Sequence, residues 1–359
     1  MLRVSRPLLL LTASLPLWLG AAPADAQTVR DRIRERMQER AEQRQQPSDT
    51  GDDADTHDLG GGPASGALSC AEWSQRVNKL QQRAAGRHTD PAPDVRDVAY
   101  GAHALQKLDV YKAKATGTTP APVILMVHGG GWCVGDKAAS GVTANKVSRW
   151  TPKGFILVSA NYPMVADGDN ALAQARHIAR ALAFVQAHAA EWGGDGSRVI
   201  LMGHSAGAHL VSLVNASPSL RAAEGAKAAL GTVSLDAGAV DVVAQMPQVY
   251  AFLKTRYREA FGTTEAEWIA ASPFHQLAAG ASPWLGVCSS KRKDDPCAQA
   301  RAYADKSRGL GIAAAALPQP KNHGAINSEL GQPGAYTEAV ERFMAGLDVG
   351  VAGLLSVKR

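Results

Sequence analysis

The sequence predicts an α/β fold, a mostly parallel central sheet with helices on both faces. Two observations carry this. From about Asp94, short apolar runs bounded by Gly, Pro or polar residues recur along the chain, the pattern of buried strands. Longer segments with helical spacing lie between them, and strand–helix alternation implies parallel strands covered on both sides. The strands are expected at 121–128, 155–160, 198–203, 229–235, 284–289 and 312–317. The main helices are expected at 171–191 and 335–347. No internal repeat is visible, and one domain over 94–350 is within the usual range.

Composition agrees with a globular chain: 359 residues, 45% hydrophobic and 20% charged. The formal net charge of +5 is small for this length. No Lys/Arg cluster interleaved with aromatics appears in the body, so no nucleic-acid partner is expected.

The N-terminal quarter reads differently. Residues 1–26 pair arginines with the apolar run "PLLLLTASLPLWLG" and end on Ala24-Asp25-Ala26. This is the pattern of a secretory signal peptide cleaved after Ala26. The run falls short of the roughly 20 apolar residues a spanning helix needs, so no stable membrane insertion is expected. Residues 27–66 form a charged arm, "TVRDRIRERMQERAEQRQQ", followed by an acidic Gly/Ser/Pro-rich linker. Neither half can bury itself. The Asp cluster at Asp52, Asp53, Asp55 and Asp58 lacks the bidentate Glu of a calcium loop, and no metal is expected. Residues 67–93 hold a short amphipathic helix, an extension of a catalytic domain spanning 67–350.

Export implies an oxidising compartment. Four cysteines allow three pairings. Cys288 and Cys297 flank one short loop and are the favoured pair. Cys70 with Cys133 follows by elimination.

The chemistry centres on "GHSAG" at 203–207, a G-x-S-x-G pattern that follows a strand and opens a helix. A sharp corner there lifts Ser205 above the sheet as a nucleophile, and the flanking glycines remove side chains that would clash. Upstream, "HGGGW" at 128–132 also follows a strand. The N–H groups of Gly130, Gly131 and Ala206 can form an oxyanion hole, each donor contributing on the order of 3–4 kcal/mol. Trp132 is expected to line the substrate pocket.

A serine needs a base, and the base an orienting acid. His323 in "KNHGAIN" follows the last strand. Five other histidines fit less well. His204 should point away from the serine. His177 and His188 lie on a helix, His209 reads as a core or supporting histidine, and His275 precedes the acid-bearing loop. The acid is expected after the preceding strand, in "VCSSKRKDDPC". Asp294 is preferred and Asp295 stays open. Asp236 and Asp241, one strand earlier in "SLDAGAVD", are the further alternatives.

These residues resemble the α/β-hydrolase esterases and lipases that include hormone-sensitive-lipase-like and feruloyl-esterase-like carboxylesterases. "DVAYGAHALQKLDVY" at 97–111 resembles their opening strands, "HGGGW" the oxyanion motif and "NYPM" at 161–164 the segment after the next strand. "WGGDGSRVILMGHSAGAHL" at 192–210 is the nearest match, and "ASPFHQL" at 271–277 resembles the segment before the acid-bearing strand. The elbow departs from the hormone-sensitive-lipase branch, which usually has an acidic residue before the serine. The acid loop lacks the common G-x-x-D.

The resemblance implies an exported serine carboxylesterase acting on a small-molecule ester of short acyl, acetyl or feruloyl type, without metal or organic cofactor. Amidases or arylformamidases on the same groups are the alternative. A catalytically silent hydrolase domain that binds a partner through its arm is the reading from another class. Tyr250, Phe252, Tyr257, Phe261 and Trp268 within 249–268 fit either a small cap over the site or ordinary helix packing.

Overall fold

The computed structural model describes residues 68–84, 91–114 and 119–356, with the side chains of 78–84 left aside. The expectations for the signal peptide and the charged arm lie outside these residues.

Eight strands form one sheet in the order β1-β2-β4-β3-β5-β6-β7-β8. They are β1 (Val95–Ala99), β2 (Lys107–Tyr111), β3 (Ala121–Val127), β4 (Ile156–Ala160), β5 (Gly194–His204), β6 (Gly231–Leu235), β7 (Trp284–Ser289) and β8 (Ala314–Gln319). β1 and β2 pair antiparallel, and β2 runs antiparallel to β4. Every pairing from β4 through β3, β5, β6 and β7 to β8 is parallel. The expected fold class is thus the one observed.

Strand alternation sorts the apolar residues onto two faces. On β3, Val123, Leu125 and Val127 join one core cluster while Ile124 and Met126 join the other. β5 divides likewise, Val199 and Leu201 against Ile200 and Met202. Helix Ala171–His188 covers the first face through Ile178, Leu182 and Val185, spaced one helical turn apart. Helices Ser140–Trp150 and Ala335–Ala345 cover the second through Val147, Trp150, Val340 and Met344. Cover on both sides leaves β3, β4, β6 and β7 buried along their whole length, small polar residues included.

Strand boundaries moved where pairing outweighed local signals. β5 begins at Gly194 inside "GGDGSR", because Gly194 pairs with Ala121. β8 runs on through Pro318, which an edge strand tolerates since one side needs no ladder donor.

The extension helix Cys70–Ala84 is tied to the core by the Cys70–Cys133 disulfide, and Cys288–Cys297 closes the loop after β7. Between β6 and β7 the chain inserts short helical pieces, including Ala251–Leu253, Lys254–Phe261 and Glu265–Ala270. Among the described residues, no helix is long and apolar enough to cross a membrane.

Candidate active site

Ser205 sits at the corner between β5 and helix Ala206–Ala216 with φ 55 and ψ −116. That conformation is costly for a residue with a Cβ, on the order of 1–3 kcal/mol, and persists only where neighbours over-determine it. They do so here. The Ser205 N–H donates to Leu235 O (3.0 Å), and its carbonyl accepts from Gly238 N (3.1 Å), so the end of β6 clamps both sides of the corner. The flanking glycines answer to close packing. A Cβ on Gly203 would meet Gly207 O at 2.4 Å, and one on Gly207 would meet Val127 O at 2.3 Å.

His323 opens helix His323–Ser328, just past β8. Its Nδ1–H donates to Asp236 Oδ2 at 2.6 Å. Asp236 follows β6 directly, is wholly buried, and has φ 49, a left-handed conformation that Asp accepts more readily than most residues. Its other oxygen accepts from Ser289 N (2.8 Å), and Arg292 Nη1 donates to Oδ2 from 3.1 Å. Burial alone would raise the Asp236 pKa. The Arg292 charge and the His323 hydrogen bond outweigh burial and hold the carboxyl well below the usual range.

The acid expected after β7 therefore does not stand beside His323. Asp294 forms a two-pronged pair with Arg292, Nε to Oδ1 at 3.0 Å and Nη2 to Oδ2 at 2.5 Å. Asp295 is exposed and caps helix Pro296–Gly309 by accepting from Ala298 N. Asp241 caps helix Val242–Gln245 and lies 3.5 Å from His275. The physical reason is Arg292, which reaches between the two loops and satisfies Asp294 with one edge while supporting Asp236 with Nη1.

The other histidines have structural partners. His204 Nε2 meets the His323 carbonyl at 3.0 Å. His209 accepts from Trp132 Nε1 (3.2 Å) and donates to Ala271 O (2.7 Å), and burial pushes its pKa down to about 4. His177 bonds Asp169 and Gln106, and His188 bonds Glu191.

On the oxyanion side, Gly130, Gly131 and Trp132 all have positive φ. Gly130 could carry no side chain, since a Cβ would fall 1.9 Å from Val134 O. Ala206 is the first residue of its helix, where N–H groups lack intrahelical acceptors.

Gly131, Trp132, Ser205 and His323 line one cavity of about 340 Å³. Tyr250, Phe252 and Tyr257 line it too, whereas Phe261 packs behind Trp132 and Trp268 bonds Gly262 O. The aromatic segment thus divides between wall and core. Trp73 of the extension helix also lines the cavity. Sequence reading missed it, and the signal available was the half-cystine three residues before it.

A strained serine at a strand–helix elbow, beside an imidazole held by a buried carboxylate, on an eight-stranded mostly parallel sheet, defines the α/β-hydrolases. Residues 108–297, just over half of the chain, match the family described as BD-FAE. The chain belongs to this family of α/β-hydrolase esterases. It is 29% identical over 258 residues to Esterase LipQ of Mycobacterium tuberculosis, covering 67% of this chain and 59% of that one. It is 33% identical over 117 residues to the probable isoprenylcysteine alpha-carbonyl methylesterase ICMEL1 of Arabidopsis thaliana, covering 33% and 24%. The chain thus spans less than two thirds of the length of either relative. In fold it is similar to the native Est2 esterase of Thermogutta terrifontis, with a TM-score of 0.59 at 23% identity over 76% of this chain and 97% of that one.

Proposed function

We propose that the protein is an exported serine carboxylesterase that cleaves small carboxylic esters through an acyl-enzyme on Ser205. The carrying observation is the His323–Asp236 hydrogen bond of 2.6 Å at the cavity that Ser205 enters from its strained elbow. His323 takes the Ser205 proton as Oγ attacks the ester carbonyl. Asp236 holds the imidazole with its proton on Nδ1, leaving Nε2 to act, and stabilises the imidazolium that forms. Gly130, Gly131 and Ala206 N–H groups receive the oxyanion. His323 then protonates the leaving alcohol, and water activated by the same imidazole releases the acid.

Asp236 takes the orienting role in this reading because Asp294 and Asp295 have other partners. The two disulfides support an oxidising compartment and, with the N-terminal sequence, export.

The test is hydrolysis of 4-nitrophenyl esters of rising acyl length beside an arylformamide, with Ser205→Ala as control. Wild-type protein should turn over the short esters, and the variant should lose about a thousandfold or more in kcat. Equal hydrolysis by the variant removes Ser205 from the mechanism. Formamide turnover far above ester turnover moves the reading to an amidase.

A further inference from the structure

Arg256 stands in the insertion between β6 and β7, on helix Lys254–Phe261, and lines the same cavity as Ser205. It is 8% exposed, which is unusual for a charge without a counter-ion. No carboxylate pairs with it among the described residues. Its Nη2 reaches only Phe252 O, at a long 3.4 Å, and its Nε is buried with no acceptor. Glu259, three residues on, gives its carboxylate to the Cys70 N–H at 2.7 Å instead. The guanidinium lies over the Trp73 ring, 4.3 Å from the centroid, so its plane is fixed at the cavity wall. Burial lowers its pKa, and the nearby Tyr257 and Glu259 offset that only in part.

The rest of the wall carries two further cations and one carboxylate, Asp294, which is bound to Arg292. Lys291 and Lys293 line the cavity, are exposed, and meet no carboxylate in an ion pair among the described residues. Arg292 between them is different, since Asp236 and Asp294 already neutralise it. The cavity therefore combines aromatic walls with the Arg292–Asp294 pair, one buried guanidinium that no carboxylate pairs, and two ammonium groups at its edge. A flat guanidinium fork matches a carboxylate, and low-dielectric walls focus its field on whatever enters.

We propose that the cavity binds an ester carrying a carboxylate, with Arg256 as the group that receives it. This rests on the esterase reading and narrows it to a substrate class. The bound carboxylate supplies the missing acceptor for Arg256, and its ester carbonyl lies toward Ser205. Arg256 is thereby a specificity residue that touches substrate away from the reacting bond.

Two matched pairs test this, one for each side of the ester. 4-Acetoxybenzoate against 4-acetoxybenzamide places the charge on the leaving group. Monomethyl terephthalate against methyl 4-carbamoylbenzoate places it on the acyl group. In at least one pair the carboxylate should exceed its amide isostere in kcat/KM by tenfold or more at low salt, with the ratio shrinking as salt rises. Arg256→Gln should bring that ratio to within twofold, and Arg256→Lys should retain part of it. A wild-type ratio near one in both pairs overturns the proposal, as does a ratio that survives Arg256→Gln. Absence of turnover on all four esters and on 4-nitrophenyl acetate would instead sink the esterase reading. The anion site is then judged without chemistry, by calorimetric binding of benzoate and benzamide to the Ser205→Ala protein. Preference for benzoate that Arg256→Gln removes sustains the site, and equal binding overturns it.

Discussion

At the scale of single residues, two positions carry strained backbone at the ends of neighbouring strands. Ser205 directly follows β5 and Asp236 directly follows β6, both with positive φ. Each is held by hydrogen bonds from the adjoining segment, Ser205 by Leu235 and Asp236 by Ser289. Such strain persists where its surroundings hold it, and here it brings Ser205 to the cavity wall and Asp236 to the buried side of His323. The strained corner at Ser205 and the place of His323 at the same cavity were legible because their motifs are local, a glycine-flanked corner and a histidine just past the last strand. The contact of His323 with Asp236 rather than Asp294 was not, since it depends on where Arg292 points. Arg292 precedes Asp294 by two residues and clamps it, a neutralisation that sequence order alone does not reveal. The available sign was Asp236 itself, directly at the end of the strand beside the nucleophile strand. Asp236→Asn should therefore lower kcat on a short ester by about 10³–10⁴-fold, because the amide can favour the wrong imidazole tautomer. Asp294→Asn, which leaves the Asp236–His323 hydrogen bond in place, should cost far less. Equal losses in the two variants, measured at saturating ester, would return the acid role to the β7 loop.

At the scale of elements, the site is assembled from strand ends and from one helix that sequence reading set apart. The parallel strands were legible from their apolar runs because both faces are covered. The edges were less so, since β8 carries Pro318 and β5 starts among glycines, and pairing partners decide both. The extension helix Cys70–Ala84 read as a peripheral amphipathic segment. It places Trp73 on the cavity wall and stacks it against Arg256, held by a disulfide to Cys133 beside Trp132. The two disulfides close loops of different length, with sequence separations of 63 and 9. Loop-closure entropy then assigns about 4 kcal/mol to Cys70–Cys133 and about 3 kcal/mol to Cys288–Cys297. Cys70→Ser with Cys133→Ser should destabilise the protein more in urea unfolding than the other double replacement. It should also raise KM for aromatic esters more than it lowers kcat, because it frees a binding wall and leaves Ser205 and His323 in place. A fall in kcat with KM unchanged would show instead that the helix supports the reacting groups.

At the scale of the whole molecule, burial of neutral histidines links folding to pH. Burial lowers the pKa of His128, His204 and His209, with His209 reaching about 4. His209 is held neutral by geometry as well, since its Nδ1 must accept from Trp132 while its Nε2 donates to Ala271 O. A proton on Nδ1 would break the contact that orients Trp132 in the cavity wall. The unfolded chain has no such restraint and takes up that proton near pH 6.5. Below that pH the unfolded state binds more protons, so stability is present above about 6.5 and falls as pH drops toward the folded value. For His209 the loss between pH 8 and pH 5 comes to about 2 kcal/mol. Asp236 works in a separate window. Its depressed folded pKa contributes stability above the ordinary carboxylate range that is lost only in stronger acid. Urea unfolding at pH 8 and pH 5 should therefore show a drop well before the carboxylates titrate. His209→Gln keeps a donor toward Ala271 and has no imidazole to protonate, so its drop should be smaller by about 2 kcal/mol. An unchanged drop would mean that His209 does not govern the acid limb, and that the Trp132 wall withstands protonation of its neighbour.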